Sequence, residues 1–188
     1  MYRLCIVGLG NPGKKYNGTR HNIGKDWLIK ISNQFFTKFN TKTKFEAEIG
    51  ESHNNELLWS IPTNYMNDSG KTIFKILKST NLKSDMLLII HDDLDLKLGE
   101  LRIKKGGGHG GHNGLRDIIN KTGQDNFMRL RIGISHPGNK NDVTNWVLTK
   151  FSPDEKKLIS SSYSKFEETI ELICSNKIEE AQKILHTR

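Results

Sequence analysis

The sequence predicts an α/β fold: a single compact domain in which helices flank a mostly parallel sheet. Three observations carry this. Short apolar runs that read as strands alternate with amphipathic helical patterns along the chain, the order that builds parallel sheets covered by helices. The most apolar run, residues 86–91 (Met-Leu-Leu-Ile-Ile-His), has the length of a buried central strand. The 188 residues suffice to bury one core, and no repeat or linker divides them, so the domain is expected to span residues 1–188.

The elements follow in order. Residues 3–9 form a short apolar run ending in glycine-rich sequence, a buried strand followed by a loop. Ile23, Trp27, Leu28, Ile31 and Phe35 recur at helical spacing with polar residues on the other face. A strand is expected over residues 56–61, stopping at Pro62, and a helix around Ile73, Phe74, Ile76 and Leu77. After the central strand come a short strand at 100–103 and a helix marked by Leu115, Ile118 and Ile119. Residues 127–135 alternate Leu130, Ile132 and Ile134 inward, as a strand does. Ser152-Pro153-Asp154-Glu155 reads as a capping box with proline at the first helical position. The helix it opens carries Leu158, Ile159, Phe166, Ile170 and Ile173, and a short helix follows through Ile184. The polar 40s and early 50s carry no clear pattern.

Composition narrows the class. No apolar stretch approaches a membrane span, and the first residues lack the apolar middle and cleavage site of an export signal. The expectation is a cytoplasmic protein with no membrane partner. Cys5 and Cys174 are the two cysteines, one in a strand and one on a helix face, and read as reduced packing residues. The formal net charge of +8 favours polyanions, nucleic acid first. Charge alone serves solubility equally well.

Five polar segments hold more chemistry than connection requires. Gly8-Leu9-Gly10-Asn11-Pro12-Gly13 has the glycine spacing of a dinucleotide fingerprint. Against that, Pro12 stands where the helix should open, and no acidic residue ends a second strand about 20 residues on. The glycines instead let backbone come close, with Asn11 offering an amide. Thr19-Arg20-His21-Asn22 precedes the first helix, and His21 gains interest if a carboxylate orients it. His91-Asp92-Asp93-Leu94-Asp95-Leu96 supplies carboxylates at the end of the central strand, where open α/β sheets gather functional groups. Turn chemistry or a divalent metal are the other readings of those aspartates. In residues 62–70, Asn67 and Met66 precede a helix for which Asp68 or Ser69 is the expected N-cap. The basic glycine/histidine loop at 104–114 suits anions at a helix start, whereas His109 and His112 would need a third ligand to hold zinc.

Together these segments resemble bacterial-type peptidyl-tRNA hydrolase over nearly the whole chain. The resemblance rests on residues 8–13, Tyr16, residues 19–22, 62–70, 91–96 and 106–115, Arg129-Leu-Arg-Ile-Gly-Ile134, and His136-Pro137-Gly138. It implies a single domain with a twisted mixed sheet flanked by helices. It carries the catalytic histidine onto His21 and its partner aspartate onto Asp92. It puts Asn11, Asn67 and Asn113 in the active site beside Tyr16, Met66 and His112. It assigns Lys104 and Arg131 to tRNA phosphates, with Arg116 and Lys140 as looser matches, and Lys105 beside them is expected to add a phosphate contact. It further implies no cofactor, no metal, no obligate protein partner and a monomer. Asp93 stands where the family often has glutamate, and Lys105 where relatives can be apolar; neither is one of the catalytic pair.

The implied substrate is the acceptor end of peptidyl-tRNA, an ester between a peptide and the terminal ribose. No serine or cysteine in these motifs has a base beside it, so direct attack by water is the simpler scheme. Asp92 would fix the tautomer of His21, whose free nitrogen takes a proton from the attacking water. Asparagines supply donors and acceptors without a charge change, and an amide aimed at a developing oxyanion contributes ~3 kcal/mol. A non-catalytic RNA-binding module explains the charge but leaves His21, Asp92 and the asparagines without a role.

Overall fold

The two most continuous apolar runs become the central strands of the computed structural model, which describes residues 1–52 and 54–187. They are β1 (Leu4–Gly8) and β5 (Leu87–Asp93). Around them, in chain order, lie α1 (Ile23–Ser32), β2 (Asn40–Lys42), β3 (Ala47–Ser52), β4 (Leu57–Pro62), α2 (Ser69–Ser79), β6 (Leu101–Lys105), α3 (Asn113–Thr122), β7 (Met128–Gly133), α4 (Val143–Val147), α5 (Pro153–Cys174) and α6 (Ile178–Leu185). One seven-stranded sheet runs in the order β2-β3-β4-β1-β5-β7-β6. Strands β4, β1, β5 and β7 are parallel neighbours. Antiparallel pairs close both edges, β2 on β3 on β4 at one side and β6 on β7 at the other. The mixed sheet is as expected, with its parallel strands at the centre, where both faces are covered and continuous apolar runs belong.

Helices α1, α5 and α6 cover one face. There Trp27 stacks on Phe166 at 5.7 Å and meets Tyr163 edge-on, over Leu88, Ile90 and Leu130. Helices α2 and α3 cover the other face, placing Ile73, Ile76, Leu115 and Ile118 against Val7, Ile89 and Phe127. The capping box forms: Ser152 Oγ accepts from the N–H of Glu155, whose carboxylate accepts from the N–H of Ser152. Cys5 and Cys174 are free and buried, and burial pushes both thiols up to about 12, which suits packing rather than reactivity.

Two close approaches set the site. A Cβ at Gly24 would lie 2.1 Å from the carbonyl oxygen of Ile90, and one at Gly8 would lie 2.6 Å from the carbonyl oxygen of Gly24. Glycine at both positions lets the start of α1 press onto the carboxyl ends of β1 and β5, carrying residues 20–22 to that edge of the sheet.

The structure departs from expectation in three places. The polar 40s and early 50s contain β2 and β3, an edge pair whose outer strand is exposed throughout. Phe74 and Leu158 lie at 44% and 54% exposure, outside the apolar stripes of their helices. Asp68 holds the N-cap position of α2 without capping; its carboxylate binds Lys71 and Lys121, and Ser69 Oγ donates back to the carbonyl of Met66. The N–H of Gly70 is met instead by Asp117 of α3 at 2.7 Å. An acid one helix away does the capping, so the start of α2 is tied to α3.

Candidate active site

His21 lies in a 3-10 turn (Arg20–Asn22) directly before α1. Arg20 anchors that turn. Its guanidinium pairs with both carboxylate oxygens of Glu155 at 2.9 Å, donates to Thr149 Oγ1 and lies 3.8 Å from the centre of the Trp146 ring. The neighbouring His21 is thereby held against the end of β5, which delivers Asp92. His21 Nδ1 lies 2.9 Å from both carboxylate oxygens of Asp92. The two side chains face one cleft.

A second histidine meets the same carboxylate, His112 Nε2 at 3.0 Å from Asp92 Oδ1. His112 is the N-cap of α3, and its Nδ1 accepts from the N–H groups of Gly114 and Leu115 at 3.1 and 3.3 Å. A nitrogen that accepts cannot carry the proton, so Nε2 carries it and donates to Asp92. His21 likewise donates from Nδ1, because an ionised carboxylate only accepts. That leaves Nε2 of His21 as the unprotonated nitrogen available to the cleft. Asp92 is buried, which alone would raise its pKa. The charges and hydrogen bonds of His21 and His112 outweigh burial and hold it well below the usual carboxylate range. For His21, burial pulls downward, while the charge and hydrogen bond of Asp92 push upward and win, so its pKa is raised.

The ligand atoms of His21, Asp92 and His112 all lie within 4.8 Å of one another. In the tautomers set by their other partners, the nitrogens of His21 and His112 that face Asp92 carry protons and donate to it. Other candidate ligands have protein partners. Asp93 accepts from Arg131 and from the backbone N–H of Asp95, the turn chemistry foreseen as an alternative, and His109 Nδ1 accepts from Gly111 within its own loop.

Asn11 is 7% exposed and fixed on both sides. Its Oδ1 accepts from the N–H of Met66 at 2.8 Å, and its backbone exchanges two hydrogen bonds with the side chain of Asn22. With the oxygen committed to a backbone donor, its NH₂ is left to donate towards the cleft. Met66 is buried against the start of α3, the apolar wall expected of it. Asn67 and Asn113 are exposed at the rim, and Asn113 Oδ1 accepts from Arg116 at 3.1 Å. The cleft measures about 300 Å³ and is lined by Asn11, His21, Met66, Asn67, Asp92, His112 and Asn113 among others. Tyr16 lies one layer out, edge-on to Tyr65 at 6.2 Å, and it is Tyr65 that reaches the cleft.

With this geometry in view, likeness to known proteins is specific. A sequence model of the peptidyl-tRNA hydrolase family matches residues 5–188. The chain belongs to the peptidyl-tRNA hydrolase family. Peptidyl-tRNA hydrolase from Rickettsia bellii (strain RML369-C) is 45% identical over 179 residues, 94% of this chain and 96% of the relative. The Rickettsia canadensis (strain McKiel) protein is 44% identical with the same coverage. The crystal structure of peptidyl-tRNA hydrolase from Acinetobacter baumannii superposes with a TM-score of 0.94 at 34% identity, covering 100% of this chain and 97% of that one.

In this family member the candidate tRNA contacts divide. Lys104 opposes Arg129 and Arg131 opposes Arg102 across β6 and β7, a basic strip next to the glycine loop. Arg131 is partly occupied by Asp93 at 2.7 Å, whereas Lys104 is exposed with no acidic partner among the described residues. Arg116 is exposed in the first turn of α3, and Lys140 is exposed in the turn before α4. Lys105, next to Lys104 at the end of β6 but on the opposite face of the strand, lies 3.9 Å from Asp85 and does not line the cleft.

Sequence reasoning missed several contributors. Val143, Thr144, Val147 and Leu148 form one bank of the cleft, from a helix too short to show a periodicity. Arg20, Asn22 and Tyr65 stood inside quoted motifs without a role. Arg129, also within a quoted motif, is buried and binds the carbonyls of Gly107 and Gly108, fixing the loop that presents His112.

Proposed function

We propose that His21 is the general base and Asp92 its orienting partner in hydrolysis of the ester between a peptide and the 3′-terminal ribose of tRNA. The observation that carries this is the His21–Asp92 contact at 2.9 Å, which leaves one imidazole nitrogen bare on a cleft lined by asparagines. The hydrolysis of peptidyl-tRNA follows from the family; the assignment of residues to steps is the proposal.

Water gives a proton to His21 Nε2 as its oxygen attacks the ester carbonyl carbon. Electron density moves to the carbonyl oxygen, where an amide N–H from Asn11 or a rim asparagine stabilises it. The intermediate then collapses, the bond from carbon to ribose oxygen breaks, and the proton on His21 passes to that oxygen. Free tRNA and the peptide's carboxylic acid leave, and the acid gives its remaining proton to solvent. Aspartate next to histidine serves here as it does in serine hydrolases, with water replacing the serine. Asn67 and Asn113 contact the peptide and the acyl group, Met66 and Tyr65 form apolar walls, and Tyr16 backs Tyr65.

Lys104 and Arg131, with Arg116 and Lys140, contact phosphates of the acceptor end, positioning the substrate without reading sequence. The net charge of +8 supports this. Lys105 contributes only to the general field. The domain is proposed to act as a monomer, without cofactor or obligate protein partner. Its substrate is made by translating ribosomes, which puts its action in the cytoplasm; among the described residues no helix is long and apolar enough to cross a membrane.

The test is release of an N-blocked amino acid from tRNA by wild type and His21→Ala, each with and without EDTA. Wild type should be active in both conditions, and the variant inactive yet still able to bind tRNA. Loss of wild-type activity with EDTA would instead support a metal-dependent hydrolase, and an inactive wild type that binds tRNA would support a binding module.

A further inference from the structure

We propose that Glu46, which lies outside every motif quoted above, is a positioning residue that clasps the turn carrying Tyr65, Met66 and Asn67 and so holds the acyl-binding rim of the cleft in place. The inference deepens the hydrolase reading and rests on it for its kinetic part.

Glu46 closes the turn between β2 and β3, and its φ of 52° lies in the left-handed region that favours glycine. A side chain is strained there, so what it binds matters. The Glu46 carbonyl accepts from the N–H of Thr63 at 2.9 Å and from Thr72 Oγ1 at 3.0 Å. Its carboxylate oxygen Oε2 accepts from Asn64 Nδ2 at 3.1 Å and pairs with Lys75 at the same distance. Thr63 and Asn64 lead into the rim turn, whereas Thr72 and Lys75 lie on α2, which leaves it. One residue therefore grips the turn at its entry and its exit.

What lies between those grips is the cleft. Tyr65, Met66 and Asn67 line it, and the N–H of Met66 donates to Asn11 Oδ1 at 2.8 Å. That bond leaves the NH₂ of Asn11 free to face the substrate, so the placing of the turn also places Asn11. The same Asn64 nitrogen lies 3.5 Å from the carbonyl of Asp68, spanning the turn from beneath.

The two carbonyl bonds survive any substitution at position 46. The pair with Lys75 is well exposed on both sides and contributes little. The bond to Asn64 is what the carboxylate adds at the rim. It and the pair with Lys75 hold the carboxyl of Glu46 below the usual carboxylate range, so the acceptor stays ionised at neutral pH.

Two variants test this. Glu46→Gly removes the carboxylate and relieves the backbone strain, so its thermal midpoint should equal or exceed that of wild type. Glu46→Gln keeps an oxygen that can accept from Asn64. Amide hydrogen exchange at Met66 and Asp68 should be about tenfold faster in Glu46→Gly, unchanged at Ile73 and Ile76 within α2, and close to wild type in Glu46→Gln. With N-blocked aminoacyl-tRNA, KM for Glu46→Gly should rise about fivefold and kcat should stay within about twofold. Glu46→Gln should restore KM, and affinity for deacylated tRNA should be the same in all three proteins. Unaltered exchange at Met66 in Glu46→Gly would overturn the proposal. A lowered midpoint with exchange quickened equally along α2 would also overturn it, making Glu46 a plain stability contact. An unchanged KM, or an equal loss of affinity for deacylated tRNA, would remove the role at the acyl end. An inactive wild type would defeat the hydrolase reading, and exchange at Met66 would still decide whether Glu46 holds the turn.

Discussion

His112 donates to Asp92 from Nε2 because its Nδ1 is committed to the N–H groups that open α3. One side chain thus caps a helix and holds the carboxylate of the proposed catalytic pair, and the two jobs are separable. In His112→Asn the amide oxygen can still cap α3, but the side chain is too short to reach Asp92. Stability should stay near wild type while kcat falls at least tenfold. His112→Ala should lose the cap as well, about 1 kcal/mol of stability. Thermal unfolding read beside turnover checks this; equal kcat in wild type and His112→Asn would refute the dual role.

Asp92→Asn removes the charge that raises the pKa of His21 and leaves burial, which lowers it. Turnover should fall by about 100- to 10 000-fold, the range of lost general base catalysis, and the acid limb of the remaining pH profile should move to lower pH. An unmoved limb would mean that another group sets it.

The raised pKa of His21 also bears on stability. The folded state holds that proton more tightly than the unfolded chain, where the pKa is about 6.5. The resulting stabilisation is fully present below that value and fades as pH rises through the raised folded value. Asp92 stays ionised over this window because its own pKa is held down. The stability difference between wild type and His21→Gln should therefore favour wild type more at pH 6 than at pH 9, as read by urea denaturation.

Arg20→Gln should cost about 2 kcal/mol, less than a fully buried pair because Glu155 retains 24% exposure. KM should rise as the bank at residues 143–148 loses its anchor to Arg20. The double variant with Glu155→Gln should be no worse than the sum of the singles, measured by a thermodynamic cycle.

Affinity for peptidyl-tRNA should fall steeply with salt, and Lys104→Ala or Arg131→Ala should each flatten the logarithmic slope by about 1. Lys105→Ala should leave the slope close to wild type, since Lys105 lies beside Asp85. Turnover of a small ester, if measurable, should barely respond.

What was legible in the sequence followed local patterns. The apolar run at 86–91 and the aspartates after it marked both the central strand and the edge where chemistry gathers, and the glycines at 8 and 10 marked close approach to α1. Long-range relations were not legible. Asp117 capping α2 joins residues 47 positions apart, and Arg20 to Glu155 spans 135, so no local pattern announces either. The β2–β3 pair was hidden because β2 is exposed on every residue and β3 is interrupted by Gly50, which makes room for Thr37. Helix α4, at five residues, is shorter than two turns and shows no face.

The tie between Asp117 and Gly70 makes a single rigid body of the turn that carries Asn67 and the helix that carries Asn113. Under the proposed function those two amides are expected to keep their spacing when an acyl group enters, so that a bulkier group is taken up at the bank formed by residues 143–148.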